Sequence, residues 1–250
     1  MEATLGLGFP VLVWCGLTVL GAGFVRGYTG FGFSALVVAT HALVLPPAEV
    51  VPLAFLLEIA ASVHMLPLVW REVAWRRVAL LVAGALLGMP VGLWLIAQLP
   101  VLEVRLGVYT LVLGFTLLSL KGVSLQNEGG SKLTFGTGVV SGLANGLAAI
   151  GGVPVVLLLL ATPISVAVVR ATVVAYLFTG NLYAIAWSGS LDLLRPEVLW
   201  RVLAFLPPLA LGVWLGHRRF VTTPPTSFRQ FTLWLLLGLS GFGLLRTIVW

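Results

Sequence analysis

Between Val78 and Gln98 the chain runs through twenty-one residues without one Asp, Glu, Lys or Arg. About 20 apolar residues in a helix match the thickness of a bilayer's hydrocarbon core. In that medium a segment must satisfy its own backbone hydrogen bonds, which an α-helix does. Apolar runs that each carry one or two charged residues occur at Ala48–Val69, Arg105–Leu120, Val166–Trp187, Val198–Gly216 and Gln230–Ile248. Of the 250 residues, 60% are hydrophobic and 9% charged, against about 25% charged in a soluble domain. The expected fold class is all-α, a polytopic transmembrane helical bundle with the lipid bilayer as its solvent.

Several function classes fall away. The net charge is +6, but the 14 Lys and Arg are scattered singly or in pairs, with no basic stripe for nucleic acid. Cys15 is alone, and His41, His64 and His217 lie far apart in no metal-ligand pattern. No metal, no cofactor and no catalytic nucleophile is expected, which disfavours a membrane-embedded enzyme. Met1–Pro10 holds one acid and no base, unlike a signal peptide. The longest polar stretch is Lys121–Lys132, too short for a soluble domain.

Two further apolar regions, Val11–Leu45 and Phe135–Thr162, are interrupted by glycine-rich cores, GYTGFGF at Gly27–Phe33 and GLAAIGGVP at Gly146–Pro154. A straight helix through the first would be roughly 50 Å long at 1.5 Å per residue. Each region therefore reads as two helices or half-helices meeting at a glycine break. A shift of 119 residues carries Gly23, Gly27, Gly32, Val37, Ala42, Ala48 and Val50 onto Gly142, Gly146, Gly151, Val156, Ala161, Ala167 and Val169. Matches at Gly92–Leu95 with Gly212–Leu215, and at Arg105–Gly114 with Arg229–Gly238, follow in order with slightly larger offsets. The chain reads as two repeats, 1–121 and 133–250, joined by a linker at 122–132. Each repeat is a broken helix pair plus three spans.

An odd number of crossings per repeat makes the second an inverted copy of the first. Charge agrees with this. Arg71–Arg77 holds three basic residues, Lys121 and Lys132 two more, and Arg218, Arg219 and Arg229 three. These segments are expected in the cytoplasm by the positive-inside rule, with both termini outside. The alternating loops hold only Arg105, and Arg195 with Arg201.

Inverted repeats with interrupted helices are a recurring plan of secondary transporters, with substrate near the midplane. A helix that begins inside the membrane offers free N–H groups and a positive dipole end to an anion. Glycine permits the break, and Pro154 suits the first turn of the new helix. Gly16, Gly84, Gly88 and Gly138 read instead as helix-packing notches.

Charges inside spans are rarely kept without use. Arg26 precedes the first break, and the shift matches it to Asn145. Its planar fork suits an oxyanion; snorkelling or a fixed pair with an acid are its structural alternatives. Glu58 is mid-span with Ser62 one turn on, either a proton carrier or the partner of an arginine. Arg170 is one turn into its span, at the interface or at the site, with Asn181 on nearly the same face about three turns later. Asn181 and Thr172 also suit ordinary helix–helix contacts. Thr29 and Ser34 flank the first break with hydroxyl donors. His41 and His64 read as packing or interfacial residues, and Trp70, Trp75, Trp187, Trp200 and Trp250 as interfacial anchors.

RGYTGFGFSALVV at Arg26–Val38, the proline–acid step at Pro46–Glu49, GLANGLAAIGGVPVVLLLL at Gly142–Leu160 and VVRATVVAYLFTGN at Val168–Asn181 resemble the sulfite exporter TauE/SafE family of permeases. The resemblance covers nearly the whole chain. It implies a multi-pass protein of the bacterial inner membrane, usually with about eight spans, that moves sulfite, sulfonates or related organic anions. It singles out Arg26, Gly27, Gly30, Gly32, Asn145, Gly146, Gly151, Gly152, Pro154, Arg170, Thr172 and Asn181. Many members carry a glycine run with a proline soon after it; this chain has Gly-Phe-Gly and no proline before Pro46. The expected function is a secondary transporter of small anions by alternating access, with Glu58 as a candidate for proton coupling. A passive anion channel is the alternative. A homo-oligomer is compatible with the sequence.

Overall fold

The structure is a computed structural model describing residues 7–100 and 130–222, with isolated positions in 102–117 and 234–245. The expected spans Arg105–Leu120 and Gln230–Ile248 and most of the linker lie outside the described residues. Eight α-helices are described in 7–100 and 130–222: α1 (Phe9–Thr29), α2 (Phe33–His41), α3 (Pro47–Val69), α4 (Trp75–Gln98), α5 (Ser131–Ala148), α6 (Gly152–Leu160), α7 (Val166–Ser190) and α8 (Pro196–Thr222). Among the described residues, five helices are long and apolar enough to cross a membrane: Phe9–Thr29, Pro47–Glu72, Trp75–Gln98, Val166–Ser190 and Pro196–Phe220.

Local chemistry sets the ends. Pro10 and Pro47 sit in first turns, where a missing N–H costs nothing. Ser165 caps α7 by accepting from the Val168 N–H at 3.3 Å. Helix α1 stops because Gly30 turns left-handed, at φ 80°, while its N–H closes on Arg26 O at 2.8 Å. Helix α5 stops in the same way at Ala149, at φ 53°, with its N–H on Asn145 O at 2.7 Å.

Helix directions follow from the contacts. Gly212 and Gly216 of α8 climb past Leu20 and Phe24 of α1, so the two helices are parallel. Gly84, Gly88 and Gly92 of α4 climb past Phe135, Val139 and Leu143 of α5, which are parallel as well. Glu49, at the start of α3, pairs with Arg201 at the start of α8. Just past the end of α3, the Ala74 N–H donates to Thr172 at the start of α7. Helices α1, α3 and α8 therefore run one way, and α4, α5 and α7 the other. The short helices fold back: Trp14 Nε1 of α1 reaches Thr40 O of α2, and Arg77 at the start of α4 reaches Thr162 just past α6.

The pairs α1–α8 and α4–α5 are close because both faces are glycine. A Cβ on Gly142 would lie 2.6 Å from the Ala85 Cα, and one on Gly23 only 3.0 Å from Leu209 O. Such approach lets backbones pack where lipid supplies no hydrophobic drive. Gly84, Gly88 and Gly138 are notches of this kind; Gly16 is not, since a Cβ there meets nothing within 4 Å. Gly27 and Gly146, grouped with the breaks in the sequence, also sit at these crossings. Leu17, Leu87, Trp94 and Leu203 project outward, apolar surface suited to lipid. Arg71, Arg76, Arg77, Lys132, Arg218 and Arg219 share one end of the bundle, and Arg195 and Arg201 the other.

Candidate functional site

The two places where the chain turns between α1 and α2 and between α5 and α6 lie against each other. Gly32, Ser34 and Ala35 from the first, with Ala149, Ile150, Gly152 and Val153 from the second, line one cavity with Glu58 and Leu177. Its volume is about 10 Å³, room for a single water. Helices α2 and α6 both begin beside this space. The first N–H groups of α2, ahead of the bond from Leu36 N to Gly32 O, have no intrahelical partner; at α6 the Val153 N–H closes on Ile150 O and Pro154 has no N–H.

At the first turn, Arg26 is fully buried and Glu58 is 1% exposed. The Arg26 Nε stands 2.9 Å from Glu58 Oε1, and its Nη2 donates to Ser62 Oγ at 2.8 Å. The Ser34 hydroxyl donates to Glu58 Oε2 at 2.6 Å. Nη1 of Arg26 has no hydrogen-bond partner. Of the two sequence alternatives for Arg26, the fixed partner is real, and it is Glu58.

At the second turn, Asn145 Nδ2 donates to Asn181 Oδ1 at 2.8 Å, while Asn145 Oδ1 accepts from the Gly151 N–H at 3.2 Å. Asn181 is fully buried, and its own Nδ2 has no partner. Ser141 bonds Gly151 O and the Tyr176 hydroxyl, bracing the turn from behind. A buried donor without an acceptor costs about 1–3 kcal/mol, so orphans beside a cavity mark a place for an acceptor. Asn181 lies one turn beyond Leu177, which lines the cavity.

Ser62 was missed as a ligand. The signal was available: the shift of 119 that carries Arg26 onto Asn145 also carries Ser62 onto Asn181. Both bonded pairs are therefore 36 residues apart.

Other singled-out residues lie elsewhere. The Thr29 hydroxyl bonds Val25 O and accepts from the Phe31 N–H, which holds the turn rather than facing the cavity. Thr172 ties the loop before α4. Pro154 is buried in the first turn of α6. Arg170 passes over Gly30 and donates to Gly27 O at 2.7 Å. It also contacts His217 Nδ1 at 3.2 Å, and its guanidinium lies 4.0 Å from the Phe220 ring centroid. At the opposite end Arg201 Nη1 meets Glu49 Oε2 at 2.6 Å. His41 is buried against Phe205, and His64 is exposed. A larger groove of about 290 Å³ at the basic end, lined by Ala74–Arg77, Leu80, Ser131 and Thr134, is remote from the turns. No metal-holding group of His, Cys, Asp or Glu occurs among the described residues.

Residues 15–242 match the model of the family described as "Sulfite exporter TauE/SafE". The chain is similar, at 27% identity over 241 residues, to the "Probable sulfite/organosulfonate exporter TauE" of Cupriavidus necator, covering 92% of this chain and 93% of that protein. It is similar, at 32% identity over 199 residues, to the "Probable inner membrane transporter protein TsaS" of Comamonas testosteroni, covering 77% of this chain and 81% of that one. No solved structure matches it.

Proposed function

Since the chain belongs to the sulfite exporter TauE/SafE family of membrane transporters, we propose that it carries small oxyanions across the inner membrane by alternating access at the paired turns. Sulfite and organosulfonates are the leading cargo, as the Cupriavidus relative's name suggests. The observation that carries this reading is a pair of buried, unpartnered donors just behind the cavity wall: Arg26 Nη1, on the arginine paired with the lining Glu58, and Asn181 Nδ2, one turn beyond the lining Leu177. Arg26 supplies charge, Asn181 a neutral donor, and the start of α2 its first N–H groups. Gly32 and Gly152 bring bare backbone to the cavity wall, while Gly30 and Gly151 make room for the Arg170 and Asn145 side chains.

The moving parts are two repeats, 1–121 and 133–250, joined at 122–132 and inverted relative to each other. Several observations support this. A shift of 119 maps Phe33–His41 onto Gly152–Leu160, and the start of α3 onto the start of α7. Matched helices run in opposite directions. Each repeat lends its first helix to a partner in the other, as α1–α8 and α4–α5 do. Polar contacts cross between the repeats near both ends: Arg170 to Gly27 O, the Ala74 N–H to Thr172 and Arg77 to Thr162 toward the basic end, and Arg201 to Glu49 at the other. Opening to one side breaks the contacts at that end and keeps those at the other. The water-sized cavity between them suits an occluded carrier better than a continuous pore. Glu58, bound to Arg26 at the cavity wall, is the candidate for coupling protons.

Purified protein in liposomes tests this. Saturable uptake of an organosulfonate is expected for the native chain and is expected to vanish in Arg26→Ala. Undiminished uptake by that variant takes Arg26 out of the site.

A further inference from the structure

The charges beside the cavity sum to zero. Arg26 and Glu58 are buried together and face each other at 2.9 Å. An anion arriving next to them leaves one negative charge uncompensated in a medium of low dielectric, whether it sits beside Glu58 or pushes it aside. One proton on Glu58 removes that conflict. Ser34 makes both forms of the carboxyl satisfiable: its hydroxyl donates to Glu58 Oε2 at 2.6 Å, and the same hydroxyl can accept from a carboxylic acid. Arg26 keeps Ser62 through Nη2, while Nε and the orphan Nη1 become free for the cargo. The site then holds a single positive charge.

The second turn adds none. The positions matching Arg26 and Glu58 under the 119 shift are Asn145 and Leu177, both neutral. The remaining charged side chains on the elements packed on α3 lie toward the ends of the bundle. Helix α1 offers Arg26, and α2 offers Ser34, with His41 at its far end. Helix α7 offers Arg170, which lies toward the basic end within the field of Arg26 and Glu72. Helix α8 offers His217, bonded to Arg170, and Arg201, held by Glu49. Helices α4 and α5 carry their Lys and Arg only at their starts, and α6 carries no titratable side chain.

We propose that Glu58 is a resident counter-anion that the cargo replaces, so that one proton accompanies each singly charged anion and dianions are refused. The proton comes from the water on whichever side the site faces, and leaves to water on the other as the ion pair re-forms. Net charge movement is zero. The inference rests on the anion-transport reading of the same site.

Methanesulfonate is the probe, because it stays singly ionised across the working pH range and any pH effect belongs to the protein. With the full chain in liposomes, an acid-outside gradient should accelerate uptake by up to about tenfold per pH unit, the limit for one titrating group. A potassium–valinomycin potential should leave uptake unchanged. Sulfate should be carried about 100-fold less well, as one unmatched charge costs about 2.5–3.5 kcal/mol in the membrane. In Glu58→Gln the remaining uptake should lose its pH response and gain a voltage response. Wild-type uptake that follows voltage and ignores pH overturns the proposal without recourse to any variant; so does sulfate carried as readily as methanesulfonate. If Arg26→Ala is silent while Glu58→Gln responds to pH and voltage as the native chain does, the proton inference fails and the anion site stands. If Arg26→Ala still takes up methanesulfonate saturably, the site reading itself fails.

Discussion

At the first turn an arginine reaches Ser62 and at the second an asparagine reaches Asn181, each across 36 residues and each at 2.8 Å. The helix before each turn ends in the left-handed conformation, at Gly30 and at Ala149. The short helix after each has nine residues. The difference lies in charge: Arg26, Glu58 and Ser62 at one turn stand where Asn145, Leu177 and Asn181 stand at the other. The neutral version shows that a turn of this kind closes without an ion pair. A buried pair is in any case weak evidence for stability. That leaves Arg26 and Glu58 available for the functional role proposed above, with Asn145 and Asn181 as their neutral counterparts.

Making the first turn a copy of the second breaks the comparison most sharply. The triple variant Arg26→Asn, Glu58→Leu, Ser62→Asn should fold and yet lose saturable anion uptake by about 100-fold or more, the loss expected for a charged donor worth about 3 kcal/mol. Its unfolding temperature should stay near the native one or rise, because replacing a buried ion pair with packed neutral groups is neutral or stabilising by about 1–4 kcal/mol. Arg26→Ala alone should behave differently in a thermal melt. It strands Glu58 and should destabilise by about 3–5 kcal/mol. The contrast between these two melts separates lost charge from lost structure.

On the neutral side, Asn181→Leu removes one orphan donor and leaves Asn145 Nδ2 unpaired. A loss of about 1–3 kcal/mol in stability and roughly tenfold in uptake is expected, read by thermal unfolding and initial rates. The turn residues offer a smaller effect. Gly30→Ala should destabilise by at least about 1–2 kcal/mol, since φ is 80° and Arg170 crosses directly over it. Ala149→Gly, at the matched place, should be tolerated and stabilise by up to about 1 kcal/mol. Thr172→Val should matter least: it removes the bond to the Ala74 N–H, about 1 kcal/mol, with substrate affinity unaltered.

Much of this arrangement is legible in the chain before any coordinates. The charge-free run Val78–Gln98 dictates a membrane helix, observed at Trp75–Gln98, because hydropathy and length are local properties. Glycine clusters point to the two turns for the same reason. Pairing is different, since it depends on which helix faces which. Arg26 could not be assigned to Glu58 rather than to lipid headgroups from spacing alone, and Arg170 finds Gly27 O, 143 residues away, only once the helices pack. Thr172 has the composition of a ligand and the position of a loop tie. Gly27 and Gly146 sit inside turn motifs yet serve helix crossings, because a notch and a turn call for the same residue. Ser62 was readable only through its matched partner, Asn181.

The account stands most directly on the charge at the first turn. Methanesulfonate uptake into liposomes by the native chain and by the triple variant, at matched protein insertion and with both melts recorded, measures it. Saturable uptake by the native chain and none by a triple variant that melts at a similar temperature is the expected result. A triple variant that transports at the native rate would contradict the claim that Arg26 makes this an anion site.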